Sequence, residues 1–204
     1  MTLLRPPSDQ EARDVIREVY GLCKIRLVEK SSDAMSQAIA AALGELRKLG
    51  LNVPSGEDYL LDYATTLPDF LGTGVAVVGW PAPLATIGAG DVYRACHEGT
   101  HAQEIAEDGA VPFAVGYLAS RTARALYEFR AVASADELHL AMGDELESPA
   151  THAERFRCYA LDDARVAMIA GALTSAQATL RGGVSVCATA RAFKSALASR
   201  GIIG

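Results

Sequence analysis

The chain has 204 residues, of which 50% are hydrophobic and 22% are charged, and this is the composition of an ordinary folded protein with one sizeable core. The formal net charge is -6, and the arginines and lysines are scattered rather than clustered, so we expect no binding to nucleic acid. A long uncharged stretch, residues 71–90, contains Pro81, Pro83 and several glycines, which favours a strand and a loop over a membrane helix. We therefore expect no membrane interaction.

The N-terminal residues and the cysteines bear on where the protein is located. Residues 1–10 contain Arg5 and two prolines but no apolar segment like that of a signal peptide, which predicts a cytoplasmic protein. None of the cysteines forms a C-x-x-C pair, so the sequence predicts reduced thiols rather than a cysteine-based zinc site. The cysteines are Cys23, Cys96, Cys158 and Cys187.

The N-terminal part of the chain predicts a helix and then a strand. Ser8 and Glu11 have the spacing of a capping box, which predicts that the first helix begins there. Polar and apolar residues then alternate over residues 24–29, as in a half-buried strand. The apolar face predicted for the helix consists of Ala12, Ile16 and Val19.

A second helix is predicted after this strand. Ser32 or Asp33 is its expected N-cap, and Gly50 stands where a C-terminal cap is expected. Residues 54–58 are expected to form a loop, whereas residues 59–67 fit a helix or a strand equally well. The predicted inward face of the second helix consists of Met35, Ile39, Leu43 and Leu46.

The middle of the chain predicts a strand followed by a long helix. Residues 73–80 are rich in valine and are bounded by a glycine and a proline, which predicts the strand. A loop that ends in the N-cap Asp91 follows. The helix is expected to run from residue 92 to about residue 108 and to stop at Gly109.

After Pro112 the chain reads as helix almost to its end. We therefore predict an α+β fold that is predominantly helical, in one domain of residues 1–204. Its core is expected to span about residues 23–144, with a helical C-terminal extension of about residues 148–204. The predicted helical segments lie near residues 113–122, 123–142, 149–161, 163–180 and 185–199.

One stretch of the chain indicates a chemistry. His97-Glu98-Gly99-Thr100-His101 reads H-E-x-x-H. On a helix, positions i and i+4 lie one above the other, so both imidazoles can bind the same metal ion. Glu98 lies between them and is placed to take a proton from a water molecule at that ion.

The residues around the motif favour a metal site over two unrelated histidines. Two histidines lie on the same stripe of the helix, next to a face of small residues that allows close packing. Such a pair is hard to explain as ordinary buried core residues. Cys96 diverges by about 100° from His97 around the helix axis, so we do not expect it to join the same site. The stripe consists of Tyr93, His97, His101 and Glu104.

A catalytic zinc site usually takes three protein ligands, so the motif needs a third one. The metzincin pattern H-E-x-x-H-x-x-G-x-x-H is disfavoured, because Glu104 and Glu107 occupy its glycine and last histidine positions. Glu128, on a later helix that returns after a turn at Gly109, fits the alternative of a glutamate ligand. A surface glutamate paired with Arg124 stays open as the other interpretation of Glu128.

The motif and its surroundings resemble the small gluzincin-type H-E-x-x-H domains of bacteria, over about residues 73–135. The resemblance implies that His97, His101 and Glu128 are zinc ligands. It also implies that Glu98 is the general base, in a zincin-like core made of a short sheet and an active-site helix. The chain departs from many relatives at Gly99-Thr100, where they carry a bulky apolar residue after the glutamate. The matching positions are His97-Glu98-x-x-His101-x-Gln103, Gly109, Phe113, Tyr117-Leu118 and Tyr127-Glu128-x-x-Ala131.

The resemblance also implies a role for the strand before the motif helix. In zincins such a strand lies beside the cleft, and its free edge pairs with extended substrate backbone. Residues 73–80 stand at the corresponding place in the chain.

The sequence therefore predicts a zinc metallopeptidase that hydrolyses peptide bonds of a peptide or protein substrate. Tyr93, one turn before His97, is preferred as the catalytic group that stabilises the oxyanion. The alternative is a non-catalytic metal-binding or interaction protein that retains the motif, and a homo-oligomer also stays open. The other candidates for the oxyanion donor are Tyr117, Tyr127, His139 and His152.

Overall fold

The computed structural model describes residues 2–50, 55–62, 64–69, 74–159 and 161–204. Most of these residues are helical, and the strands form one three-stranded sheet. The predicted α+β, predominantly helical class is therefore confirmed. None of the helices in these ranges is long and apolar enough to cross a membrane.

The helices and strands are numbered in chain order. The helices are α1 (Asp9–Leu22), α2 (Ala34–Lys48), α3 (Gly56–Leu61), α4 (Asp91–Asp108), α5 (Ala110–Ala119), α6 (Arg121–Ala141), α7 (Pro149–Arg155), α8 (Asp163–Arg181) and α9 (Ala188–Ala198). The strands are β1 (Ile25–Glu29), β2 (Thr65–Pro68) and β3 (Ala76–Trp80). Short 3-10 helices lie at Leu84–Thr86 and Phe156–Tyr159.

The first helix begins at the predicted capping box. The Ser8 side chain accepts a hydrogen bond from the backbone N–H of Glu11, and the Glu11 carboxylate accepts one from the backbone N–H of Ser8. Two backbone donors at the start of α1 are satisfied in this way. The apolar face of α1 is turned to the core, as predicted. Its buried residues are Ala12, Val15, Ile16, Val19 and Tyr20.

Strand β3 lies in the middle of the sheet, parallel to β1 and antiparallel to β2. Ile25 pairs with Ala76 in the first ladder, and Thr65 pairs with Gly79 in the second. The expectation that the strand before the motif helix offers a free edge is therefore wrong, because both of its edges are hydrogen-bonded. Thr73, the first residue predicted for that strand, lies outside the described residues. The edge strand of the described sheet that contacts the motif helix α4 is β2.

The fully buried residues of α2 are small, and the predicted inward face is only partly buried, since Ile39 and Leu43 are half-buried. Met35 and Leu46 are exposed, whereas Ser36 and Ala40 are buried. The reason is the close approach of α3, where a Cβ atom at Gly56 would lie 2.4 Å from the carbonyl oxygen of Ala40. A close-packed crossing of this kind leaves no room for a long side chain.

Helix α3 lies where the sequence predicts a loop over residues 54–58. Ser55 and Asp58 form a second capping box, and the helix starts directly after Ser55. Pro54, the first residue of the predicted loop, lies outside the described residues. The ambiguous segment of residues 59–67 contains the end of α3 and the beginning of β2.

The C-terminal helices pack in two groups. Helix α9 packs with α1 and α4 around the larger apolar cluster, which also includes the sheet. Helices α7 and α8 pack with α6 around a smaller cluster. The extension predicted over residues 148–204 is thus divided between two cores, and α9 belongs with the motif helix.

Two glycines shape α4. Gly109 ends it as predicted, with a backbone φ of 91° that residues other than glycine rarely adopt. Gly99 lies at a close crossing, because a Cβ atom there would be 2.9 Å from Thr189 Cγ2 and 3.4 Å from Tyr20 Cε1. Helices α9 and α1 therefore exclude the bulky residue that many gluzincins carry at this position of the motif.

We predict that Gly99→Leu lowers the free energy of unfolding by about 2 kcal/mol or more, because the new side chain overpacks the crossing with α9. The control is Gly171→Leu on α8, where a Cβ atom would meet nothing within 4 Å. Leucine should raise the helix propensity there and leave stability unchanged or improved by up to about 1 kcal/mol. Urea denaturation followed by circular dichroism measures both. Equal stabilities of the two variants would contradict the close crossing.

Candidate metal centre

Three side chains from two helices meet in one cluster. His97 Nε2 lies 3.4 Å from Glu128 Oε2, and His101 Nε2 lies 3.5 Å from Glu128 Oε1. One ligand atom from each residue lies within 4.8 Å of the others, so the cluster could hold a metal ion. These are the three ligands that the sequence predicts, and the described part of the chain contains no other group of this kind.

The cluster depends on the packing of α4 against α6. The one-turn spacing of His97 and His101 brings their rings together, with centroids 5.0 Å apart. Glu128 reaches them from α6, which packs against α4. Ala131, one turn after Glu128, is fully buried, and its small side chain lets the two helices approach as predicted.

The cluster is buried, and its charges depend on one another. Only 5% of His101 and 3% of Glu128 is exposed. Burial alone would lower the pKa of His101, but contacts with Glu104 and Glu128 raise it to about 10. Burial acts to raise the pKa of Glu128, yet its contacts with His101 and His97 hold this pKa well below the usual range. Glu128 is therefore a carboxylate, which is the form that binds a metal ion.

The carboxylate of Glu98 is held by a residue that the sequence did not indicate. Only 7% of Glu98 is exposed, and its Oε2 accepts a hydrogen bond of 2.6 Å from the hydroxyl of Thr66. The same hydroxyl lies 3.0 Å from the backbone oxygen of Glu98. Thr66 lies on β2, so the edge strand and the motif helix are tied together at the predicted general base. No local pattern marks Thr66, because its strand is part of the segment that fits a helix or a strand equally well.

Helix α5 forms one wall of the cluster. The hydroxyl of Tyr117 donates a hydrogen bond to Glu128 Oε1. The rings of Phe113 and Tyr117 each lie with their centroids 6.1 Å from that of His101. Arg124 donates hydrogen bonds to the backbone oxygens of Tyr117 and Leu118, which holds α5 against α6. Glu128 is thus a buried residue in contact with aromatic neighbours rather than the surface glutamate of the other interpretation.

Tyr93, the predicted catalytic tyrosine, belongs to a neighbouring group. Its hydroxyl donates a hydrogen bond to Asp144 Oδ2, and its ring stacks on His139 with centroids 3.6 Å apart. His139 Nδ1 lies 2.9 Å from the same Asp144 oxygen. Tyr93 would have to leave Asp144 before it could donate a hydrogen bond to a substrate.

The two remaining candidates for the oxyanion donor also have acidic neighbours. The hydroxyl of Tyr127 donates a hydrogen bond of 2.8 Å to Asp108 Oδ2. His152 lies on α7, with its Nδ1 3.7 Å from Glu147 Oε2. Of all the candidates, Tyr117 is the one whose hydroxyl contacts a residue of the cluster.

Glu104, Glu107 and Cys96 of α4 differ in their surroundings. Glu104 is buried behind His101, whereas Glu107 is exposed and accepts a hydrogen bond from Gln103. Cys96 is fully buried, and its Sγ lies 3.2 Å from Ser134 Oγ, so it packs against α6 outside the cluster. Burial also raises the pKa of the Cys96 thiol, which fits a structural rather than a ligand role.

No protein-family model matches the chain, and comparisons with curated proteins and with solved structures each found no significant match. The assignment of the cluster therefore rests on the motif and on the geometry described above.

We predict that Thr66→Val lowers the free energy of unfolding by about 2 kcal/mol. The reason is that the buried Glu98 carboxylate, a charged acceptor, loses its hydrogen bond from the Thr66 hydroxyl. Thr66→Ser keeps the hydroxyl and should stay close to the original stability. In a Glu98→Gln background the cost of Thr66→Val should shrink, since the acceptor is then neutral. Thermal and urea denaturation of the original protein, of Thr66→Val, of Glu98→Gln and of the double variant test this as a double-mutant cycle. Additive losses would show that the hydrogen bond does not couple the two residues.

Proposed function

We propose that the protein is a zinc-dependent metallopeptidase of the gluzincin type, in which His97, His101 and Glu128 bind the zinc ion and Glu98 is the general base. Two imidazole nitrogens and one carboxylate oxygen are a donor set that catalytic zinc sites use, with a fourth position left for water. The observation that carries the proposal is the spacing of these three ligand atoms.

The spacing suits a shared ion better than direct hydrogen bonds. Ligand atoms about 2.1 Å from one ion, at tetrahedral angles, lie about 3.4 Å from one another. The His97 nitrogen lies 3.4 Å from one Glu128 oxygen and the His101 nitrogen lies 3.5 Å from the other. One ligand atom from each of the three residues lies within 4.8 Å of the others, so a small movement of the side chains would bring all three to this spacing. An ordinary N–H···O hydrogen bond is shorter, at about 2.7–3.2 Å. Each oxygen of Glu128 faces one histidine, so the carboxylate is directed at the point that both imidazoles face.

The sheet supports a zincin-like core with a different substrate strand from the one expected. Strand β2 is antiparallel to its neighbour, lies at the edge of the described sheet and contacts α4. An extended peptide could pair with such an edge by β-augmentation. Thr66 ties this strand to Glu98, so a peptide bound along β2 would pass beside the general base. This arrangement supports a peptide or protein as the substrate.

The proposed reaction is hydrolysis of a peptide bond by water. A bound zinc ion would supply a Lewis acid that polarises the carbonyl and acidifies water. Glu98 accepts the proton of the attacking water as the new C–O bond forms, and it returns a proton to the nitrogen as the C–N bond breaks. Thr66 keeps the Glu98 carboxylate in place through both steps. Tyr117 lies nearer to the cluster than Tyr93, because its hydroxyl contacts Glu128, but each of the two hydroxyls would have to leave its carboxylate before it could donate to the oxyanion.

We predict that Glu98→Gln abolishes hydrolysis while zinc still binds, because the amide cannot accept the proton of water but leaves the ligands intact. The loss of kcat should be at least about 100-fold. The measurement is cleavage of an unstructured protein such as casein by the zinc-loaded protein, together with its zinc content. Full activity of Glu98→Gln would contradict the mechanism. Bound zinc without any cleavage by the original protein would favour the alternative of a non-catalytic metal-binding protein.

We predict that Glu128→Ala lowers the zinc affinity by more than about 100-fold, because a direct ligand contributes more than the residues that merely orient ligands. Glu145→Ala is a control, since Glu145 is exposed in the loop after α6. Zinc titration against a chromophoric chelator gives both affinities. If Glu128→Ala bound zinc as tightly as Glu145→Ala, the third ligand would have to be another residue.

A further inference from the structure

The two nitrogens of His101 face two different carboxylates. Its Nε2 lies 3.5 Å from Glu128 Oε1 and belongs to the proposed zinc site. Its Nδ1 lies 3.0 Å from Glu104 Oε2, which is hydrogen-bond distance. Glu104 follows His101 by three residues on α4, so the two side chains lie on the same face of the helix.

Glu104 is a buried acid held between two cationic groups. Only 3% of it is exposed. Its second oxygen, Oε1, makes no hydrogen bond to any described residue and lies 3.7 Å from Arg130 Nη1. Arg130 is on α6, two residues after Glu128, so the helix that supplies the third ligand also supplies the partner of Glu104. Burying a carboxylate is unfavourable unless it is paired, and here the partners are His101 and Arg130.

The second histidine of the motif lacks this support. His97 contacts Glu128 through Nε2, and the ion pairs of the described ranges include no carboxylate behind its Nδ1. The His97 side chain is also more exposed, at 23% against 6% for His101. The two histidines are thus unequal, and the difference lies in Glu104.

We propose that Glu104 is a positioning residue that presents Nε2 of His101 to the metal ion, and that Arg130 holds Glu104 in place. The inference rests on the metal site of the proposed function, but not on the hydrolysis. An acceptor at Nδ1 keeps the proton on that nitrogen, so the lone pair that binds a metal is on Nε2. The same hydrogen bond fixes the plane of the ring and makes the imidazole a stronger donor.

The role is specific to the acceptor at Nδ1. A glutamine at position 104 keeps a neutral oxygen that can still accept the Nδ1 proton, whereas alanine removes the acceptor altogether. The order of zinc affinity should therefore be the original protein first, Glu104→Gln second and Glu104→Ala last. A purely structural role in joining α4 to α6 predicts no such order, because the glutamine loses the ion pair with Arg130 just as the alanine does.

The test compares zinc affinities of the full chain with matched controls. We expect Glu104→Ala to weaken zinc binding by about 10–100-fold and Glu104→Gln by less, as found for residues that orient metal ligands. Glu107→Ala on the same helix is the control and should bind zinc unchanged, because its carboxylate is exposed and contacts Gln103. The visible spectrum of the cobalt(II)-loaded protein is a second measurement, and it should change in Glu104→Ala but not in Glu107→Ala.

The outcomes distinguish the positioning role of Glu104 from the proposed peptidase activity. Equal zinc affinities and equal cobalt spectra for Glu104→Ala and Glu107→Ala would overturn the positioning role while leaving the proposed peptidase intact. Tight zinc binding by the original protein without cleavage, with the expected loss in Glu104→Ala, would overturn the peptidase and support the positioning role. An original protein that takes up no zinc would overturn both. If Glu104→Ala fails to fold, Glu104→Gln and the cobalt spectrum decide.

Discussion

The packing of α4 against α6 is the constraint on which the site depends. The two histidines of α4 form the candidate metal cluster only together with Glu128, which lies on α6. A shift of α6 by the length of one residue would carry Glu128 away from both imidazoles, since each residue advances a helix by about 1.5 Å and turns it by about 100°. The fully buried Ala131, one turn from Glu128, permits the close approach. The Arg130–Glu104 pair joins the same two helices, and the Tyr117–Glu128 hydrogen bond joins α5 to α6 beside the cluster.

Three carboxylates are buried at this packing interface, and they determine the electrostatics of the cluster. Glu98, Glu104 and Glu128 are each at most 7% exposed. Burial and mutual repulsion both oppose the ionised form of neighbouring carboxylates, so ionised carboxylates at this interface need positive charge close by. Protonated His101, whose pKa is about 10, supplies part of it in the protein alone. A divalent cation supplies it more fully, and its binding must then release the proton of His101. A bound divalent cation would therefore lower the electrostatic cost of burying these carboxylates, which supports the proposed metal site.

The sequence predicted those parts of the site that are local or that follow from helical spacing. The motif, the end of α4 at Gly109 and the return of the chain to Glu128 could all be read from residue types and distances along the chain. Glu104 also carried a readable signal, because it stands three residues after a proposed ligand. Thr66 could not be found in this way. Its contact with Glu98 depends on which strand lies at the edge of the sheet, and strand order is set by non-local pairing that no local pattern records. The inward face of α2 was misjudged for a similar reason, since the approach of Gly56 to Ala40 decides it.

The C-terminal helix α9 supports the motif helix at Gly99 and Gln103. The hydroxyl of Thr189 donates a hydrogen bond of 3.0 Å to Gln103 Oε1, and the Thr189 methyl group lies against Gly99. Lys194 forms an ion pair with the buried Glu137 of α6, so α9 contacts both helices of the site. Helix α4 therefore packs against α6, which carries Glu128, and against α9, which excludes a larger side chain at Gly99. A metal ion needs its ligands at fixed separations, and the residues that set those separations lie on both sides of the motif helix. The glycine in the motif is thus explained by the fold around it rather than by the chemistry of the motif itself.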